Sequence, residues 1–517
     1  WALGRERRGE KPAPDPAVTA ALVAAVDDPD GETRAAAIAA LARRKTVADG
    51  ASAIEQGLRD QDWRVAVEAV RALAGEAGTD AGRDAVAAIT VRIWTLVVTG
   101  SAPAQAHVLL EGLRALAASA HRPAVRDALR ALATASSGST SAGVPPIVRG
   151  WVHCLSTAAL ERVTPTTFDG GTRVLACGGD PIEPHLRAQL LGELITAGVG
   201  TPRQRRDALV VLLAIEDPRS RAAALDALPT AWSALTAAEQ EALIPAVTRA
   251  LASTAVIEVG TAAEAAGALL AKDDLIASAR TPVAAALIAR AAHEADPEVA
   301  GDLLRAVGAA KLAEGTPVCE RAVASESPVI RAAARDCLTL IAGGKPPDPA
   351  RVLDEPTVAT PPAVDVDAVV GRRVTWTLET TRGTVVIALA PEVAPWNVAS
   401  IAELTRKRFY DGLVFHRVVP DFVVQGGDPT GTGWGGPGYT LPAEPGSGLD
   451  GDDYRAGAIG IADAGKDSGG SQWFAMHSRA PHLEGRYTRV GRVTRGQEIV
   501  DALVIGDKVV KASVSVE

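Results

Sequence analysis

Two hydrophobic periods run along this chain and divide it. Over the first 340 residues apolar positions recur at helical spacing, in alanine-rich runs such as Ala35-Ala36-Ala37-Ile38-Ala39-Ala40-Leu41 and Val65-Ala66-Val67-Glu68-Ala69-Val70-Arg71-Ala72-Leu73. A polar phrase precedes each run: Asp28-Pro29-Asp30-Gly31-Glu32-Thr33-Arg34 before the first, Asp60-Gln61-Asp62-Trp63-Arg64 before the second. Asp28 aligns with Asp60, Asp30 with Asp62 and Leu41 with Leu73, a spacing of 32 residues. Weaker copies stand at Asp217-Pro218-Arg219-Ser220-Arg221, Asp296-Pro297-Glu298-Val299 and Ser327-Pro328-Val329-Ile330-Arg331. Asp or Ser accepts the orphan N–H groups of a helix start, and Pro tolerates the first turn because its missing N–H has no partner to lose there. A capped helix returning at this period predicts a stacked array of helical hairpins. Gly and Thr accumulate at Ser136–Ser141 and from Thr164 to Asp180, which predicts loops between sub-stacks. Trp1-Ala2-Leu3-Gly4-Arg5 reads as the end of a repeat's second helix, so the array is expected to begin upstream of it.

From Gly343 to Val370 prolines replace the helical pattern, at Pro346, Pro347, Pro349, Pro356, Pro361 and Pro362. This reads as an extended linker. Beyond it the period becomes two. Val374-Thr375-Trp376-Thr377-Leu378-Glu379-Thr380 alternates, Arg382-Gly383 turns the chain, and Thr384 to Leu389 returns, which predicts a β-hairpin. Ala394-Pro395 opens a helix through Trp396 to Arg406, and strands alternate with Gly-rich turns to the end. The expected division is a helical-repeat domain at 1–342, a Pro-rich linker at 343–370 and a β domain at 371–517.

One run in the β domain carries chemistry. In Phe415-His416-Arg417-Val418-Val419-Pro420-Asp421-Phe422-Val423-Val424-Gln425-Gly426-Gly427-Asp428, the residues Arg417, Val419, Asp421, Val423 and Gln425 share one parity. A strand here projects a cation and an amide to one face. That set suits a twisted amide better than a phosphate or a metal. Phe422 has the opposite parity, so a bulge or turn at Pro420-Asp421 must bring it to the same place. Gly470-Ser471-Gln472-Trp473-Phe474-Ala475-Met476 and Pro481-His482-Leu483-Glu484-Gly485-Arg486-Tyr487 follow. With Thr381-Arg382-Gly383, Ala394-Pro395, Tyr410-Asp411-Gly412 and Gly435-Gly436-Pro437-Gly438-Tyr439, these blocks resemble, in order, the cyclophilin family of peptidyl-prolyl cis-trans isomerases, from about Val374 to the end. The array more loosely resembles HEAT repeats.

The resemblance implies an eight-stranded antiparallel β-barrel with two flanking helices, following an all-α superhelical HEAT-like solenoid. It implies catalysis by Arg417 with Gln425. Substrate contacts are implied at Phe422, Val423, Ala462, Asp463, Gln472, Phe474, His482, Leu483 and Tyr487. Val423 stands where the family's best-known pattern has methionine, Asp463 where it has asparagine, His482 where it has tryptophan and Tyr487 where it has histidine. His482 and Tyr487 look like the usual bacterial choice and are expected to weaken cyclosporin-type inhibition. Asp463 adds a negative charge, which favours peptides with a basic residue near the proline.

Composition narrows the rest. Apolar residues make up 47% and aromatic ones 3%, yet all four Tyr and four of five Phe lie beyond residue 400. Residues 372–517 hold 16 Lys and Arg against 17 Asp and Glu, so nearly all of the net charge of −9 falls on the helical part. An acidic chain argues against nucleic acid as a partner. No run of eighteen apolar residues is present to span a membrane. Cys154, Cys177, Cys319 and Cys337 show no metal spacing; they read equally as two disulfides, with Cys319 and Cys337 on adjacent helices, or as buried thiols. His416 and His477 read as satisfied structural histidines, and no cofactor or metal is implied. The chain begins at Trp1, so any export signal would lie out of view. The single Met and the preference for Arg suggest a GC-rich bacterial genome, with the cell envelope or periplasm favoured over the cytoplasm. The expected function is a proline isomerase that assists folding, with a client or partner protein on the repeats. The alternative is a scaffold whose barrel holds proline-containing segments without turnover.

Overall fold

A computed structural model describes residues 15–75, 78–98, 105–137, 144–163, 169, 171–179, 181–273, 275–344, 364–446 and 454–517. The segment at Trp1–Arg5 and most of the expected linker lie outside the described residues.

The capping phrases build the array. The side chains of Asp30, Asp62, Asp217, Asp296 and Ser327 each accept a backbone N–H from the first turn of the helix that follows. Arg34 ties one repeat to the next. Its Nη1 donates to the carbonyls of Asp28 and Pro29, while Nε and Nη2 hold the Asp60 carboxylate, each at 2.8 Å. Arg221 does the same with Ile215, Glu216 and the Glu258 carboxylate. Bidentate geometry of this kind fixes orientation as well as distance. The helices Gly31–Arg43, Trp63–Ala74, Gln105–Leu116 and Pro146–Glu161 pack in series. Pro184–Thr196, Pro218–Ala231, Val256–Leu270, Pro297–Ala309 and Pro328–Ile341 continue the same layer. Small residues set the spacing: a Cβ on Gly192 would lie 2.8 Å from the Ala223 carbonyl oxygen.

At the first expected break, Ser136 and Ser137 still belong to the helix Pro123–Ser137, and 138–143 lie outside the described residues. At the second, a short helix forms at Thr172–Ala176. The four cysteines are not thiols. Cys154 pairs with Cys177 and Cys319 with Cys337.

The second unit is a curled antiparallel sheet. Its strands are β1 (Val374–Thr380), β2 (Gly383–Leu389), β3 (Arg417–Val419), β4 (Val423–Gly426), β5 (Ala458–Ile461), β6 (Trp473–Met476), β7 (Arg489–Arg495) and β8 (Val509–Val516). They lie in the order β3-β4-β6-β5-β7-β2-β1-β8. The two ends meet where the N–H groups of Gly412 and Phe415 donate to the carbonyls of Val509 and Asp507, at 2.7 and 2.8 Å. Period-two burial along β1 sends Val374, Trp376 and Leu378 into a core shared with Tyr410, Phe415 and Trp473. The helices Pro395–Arg406 and Gln497–Val500 flank it. Val369, from the segment read as linker, is fully buried in this core, and Val364 and Val366 pack against it. The buried Asp507 carboxylate accepts from Arg382 Nε, Thr381 Oγ1 and the Val504 N–H, which satisfies its charge and shapes the loop at 504–507.

That loop and the β3–β4 turn seat the barrel on the array. Val504 is 2% exposed and belongs to the array's own core cluster. The Trp151 indole N–H donates to the Ile505 carbonyl at 2.7 Å. Arg71 Nη1 donates to the Pro420 carbonyl at 3.2 Å. His477 lies 5.1 Å from Trp63 and 5.5 Å from His107 between ring centroids. Burial holds both imidazoles neutral, His477 with its pKa down to about 4. His477 Nε2 faces the Val500 carbonyl at 3.3 Å, but its buried Nδ1 and both buried ring nitrogens of His416 have no hydrogen-bond partner, contrary to expectation.

The disulfides close segments with sequence separations of 23 and 18. By loop-closure entropy each contributes about 3 kcal/mol. Cys154→Ser or Cys319→Ser is expected to lower the array's unfolding free energy by about that amount. Urea titration of the full chain reads it, and about twice that loss is expected from the wild type in dithiothreitol, which opens both bonds.

Candidate functional site

The run from Arg417 to Gln425 is not one strand. It folds back on itself: Asp421 has φ 60°, and the Phe422 N–H donates to the Val419 carbonyl at 3.0 Å. The resulting hairpin pairs Arg417 with Gln425 and Val419 with Val423 across β3 and β4. Arg417 and Gln425 thus become cross-strand neighbours. Arg417 Nη1 donates to Gln425 Oε1 at 3.3 Å. The turn also delivers Phe422, whose ring lies 5.9 Å below the Arg417 guanidinium carbon. Asp421 does not join the groove. It faces the array, where burial and then Glu68 push its carboxyl up to about 7 against the pull of Arg64 and Arg71.

A small cluster of apolar side chains lies beside the guanidinium. Val423, Phe474 and Leu483 are buried in it together with Tyr454, Ala458, Met476 and Ala480. Val419, Phe422, Ala462 and Tyr487 are partly buried against them. Phe474 stacks on Tyr454 at 5.9 Å and meets the edge of Tyr487 at 6.0 Å. Phe422 stacks on His482 at 5.7 Å. Arg417 itself is exposed at the mouth. Burial of part of its side chain draws its pKa down, but a guanidinium stays charged at any working pH.

Two glutamines continue the line away from Arg417. Gln425 Nε2 donates to Gln472 Oε1 at 3.0 Å. Gln472 Nε2 in turn donates to the carbonyls of Gly433 and Gly435, at 2.7 and 2.9 Å. Ala462 donates its N–H to the Gln472 carbonyl at 3.0 Å, which sets the strand end that carries Asp463. Burial lifts the Asp463 carboxyl to about 6, opposed by the N–H of Gly465 and by Arg486.

Of the residues expected from the sequence, Arg417, Gln425, Phe422 and Gln472 are linked by direct contacts, and Val423, Phe474, Leu483, Ala462 and Tyr487 share one apolar cluster. His482 stacks on Phe422, and Asp463 follows Ala462 with its carboxylate turned to the Gly465 N–H. Sequence reasoning missed Tyr454, Met476 and Ala480, which complete the pocket, and Trp434, which lies beside the Gly433 and Gly435 carbonyls. Tyr454 follows a Gly- and Asp-rich stretch with no period to place it. Trp434 carried a usable signal, a lone indole among the glycines of Gly431–Gly438.

The family model described as cyclophilin type peptidyl-prolyl cis-trans isomerase/CLD matches residues 375–516. Peptidyl-prolyl cis-trans isomerase B of Bacillus subtilis is 50% identical over 121 residues, covering 23% of this chain and 82% of that protein. A peptidyl-prolyl cis-trans isomerase of Synechococcus elongatus is 40% identical over 139 residues, 26% of this chain and 93% of its own. A solved cyclophilin-type isomerase from Cryptosporidium parvum aligns with 28% of this chain and 98% of its own, at 24% identity and a TM-score of 0.26.

Proposed function

Because this chain belongs, through residues 375–516, to the cyclophilin-type peptidyl-prolyl cis-trans isomerases, we propose that the groove at Arg417 is where it turns over X-Pro bonds. Resonance makes the C–N bond partly double and sets a barrier of ~18–20 kcal/mol. No covalent bond is made or broken, so a catalyst need only bind the twisted amide better than either planar form. On twisting, the prolyl nitrogen regains its lone pair. The Arg417 guanidinium supplies a fixed positive donor for that nitrogen or for the carbonyl oxygen that moves past it. Gln425 holds the guanidinium through its Oε1. The prolyl ring enters the pocket of Phe422, Val423, Phe474 and Leu483, which also excludes water that would favour the planar, more polar amide. Backbone groups at Ala462 and Asp463, with Gln472, face the residues before the proline, and His482 and Tyr487 form the rim. The observation that carries this reading is the single contact set in which the guanidinium, the amide of Gln425 and the ring of Phe422 converge.

We take residues 1–342 and 371–517 as the two working parts, joined by the Pro-rich segment 343–370. The array's role in holding a client is part of the same proposal. A cleft of about 370 Å³ is lined by the array's helices together with Thr432 and Trp434 of the barrel loop. Glu193, Asp226 and Glu264 line the array's side with a single Arg219; burial raises the carboxyls of Glu193 and Glu264, helped by Asp226 and, for Glu264, by Asp302. This supports a folding-assistant role on unfolded chains that carry basic residues beside the proline. Two disulfides favour an oxidising compartment such as the bacterial envelope or periplasm. The second reading, a barrel that only binds proline-containing segments, makes no use of a charged donor in the groove.

Arg417→Ala is expected to lower kcat/KM on an Ala-Pro peptide by roughly 10²–10³-fold. Because the side chain is exposed, the unfolding midpoint is expected to stay where it is. Equal rates for wild type and variant would leave only the binding reading. The Asp463 carboxyl ionises near pH 6. The preference for a Lys-containing over a neutral peptide is therefore expected to grow from pH 5 to pH 7.5, by about two- to fivefold. Asp463→Asn is expected to flatten that profile.

A further inference from the structure

Trp434 joins the two units. Its ring packs against the array's core and lies on the backbone of the helix Val256–Leu270. A Cβ placed on Gly260 would come within 2.6 Å of Cζ3 and 2.7 Å of Cη2 of the indole. Only a glycine lets the ring sit this close to the helix. On the barrel side, Trp434 lies between Gly433 and Gly435, whose carbonyls are the two that Gln472 grips. The same loop is held from behind by the Asp428 carboxylate, which accepts from the N–H groups of Thr430, Thr432 and Gly433.

From these carbonyls the line runs Gln472, Gln425, Arg417, and its direction is forced. Arg417 can only donate, so Gln425 must turn its oxygen to it and its amine to Gln472. Gln472 must then turn its own amine outward, where two carbonyls await it. If the loop moved, the Gln472 amine would lose both acceptors. The amide would then be free to flip, presenting donor to donor at Gln425 and loosening the guanidinium.

We propose that Trp434 is a positioning residue for the isomerase reaction: seated on Gly260 of the helical array, it holds the carbonyls of Gly433 and Gly435 that orient Gln472, Gln425 and, through them, the Arg417 guanidinium. The array thereby acts on the reacting bond through the barrel's own loop. The proposal rests on the isomerase reading of the Arg417 groove.

The test uses the full chain and an Ala-Pro peptide, with kcat and KM measured separately and the unfolding midpoint recorded for each protein. Trp434→Ala is expected to lower kcat about tenfold, with KM within about twofold. Trp434→Phe, which keeps a ring on Gly260, is expected to recover most of the rate. Gly260→Ala keeps the indole in the chain but pushes it off its seat, and is expected to lower kcat. The double variant Trp434→Ala, Gln472→Ala is expected to be no slower than Gln472→Ala alone, because both act through one amide. An unchanged kcat in Trp434→Ala, a change confined to KM, or losses that multiply in the double variant would overturn the proposal. Arg417→Ala in the same assay separates this outcome from a failure of the isomerase reading itself, since in that case wild type and Arg417→Ala run at equal rates.

Discussion

A guanidinium has only donors to offer, and that fact orders everything around Arg417. Each partner in the line must present an acceptor towards it and a donor away from it, until the line ends on groups that can only accept. Backbone carbonyls are such groups, and Gly433 and Gly435 provide two. The geometry of the groove is thus set by chemistry that allows one arrangement of two otherwise reversible amides. Stabilising a twisted amide requires a charge in a fixed place, since a mobile cation would follow the ground state as readily as the transition state. The order along this line comes from a hydrogen-bond sequence with defined polarity.

Much of the barrel was legible in the sequence. The Val374–Thr380 and Gly383–Leu389 hairpin was readable from alternation and its Arg-Gly turn, and Ala394-Pro395 marked a helix start. The pocket residues were readable only through the family resemblance, because no local period assembles β4, β6 and the turn at Pro481–Leu483 in one place. Parity led to a single strand from Arg417 to Gln425. Its own exception, Phe422, pointed to the turn at Pro420-Asp421 that the structure contains. Asp421 was misjudged as a member of the groove face because turn residues do not obey strand parity.

In the array, cap chemistry was legible and tertiary placement was not. Asp30, Asp62, Asp217, Asp296 and Ser327 all cap as their sequence context suggests. The inter-repeat pairs of Arg34 with Asp60 and Arg221 with Glu258 could not be read, because they depend on how one hairpin stacks on the next. Nor could the seam. Trp63, His107 and Trp151 look like ordinary helix-core residues in sequence, yet they receive His477 and Ile505 of the barrel. Contacts between distant segments leave no periodic trace, and a glycine such as Gly260 shows its use only when the ring that covers it is seen.

Val504 in the array's core has a consequence for the order in which this molecule is made. Synthesis runs from the N-terminus, so the helices emerge first. Trp151 then waits for an acceptor 354 residues further along. Until that loop is released from the ribosome, one face of the stack shows its indoles to water and can bind whatever apolar segment is nearby. The seam at Val504 is therefore the last part of the molecule to close, after the barrel has followed the helices out.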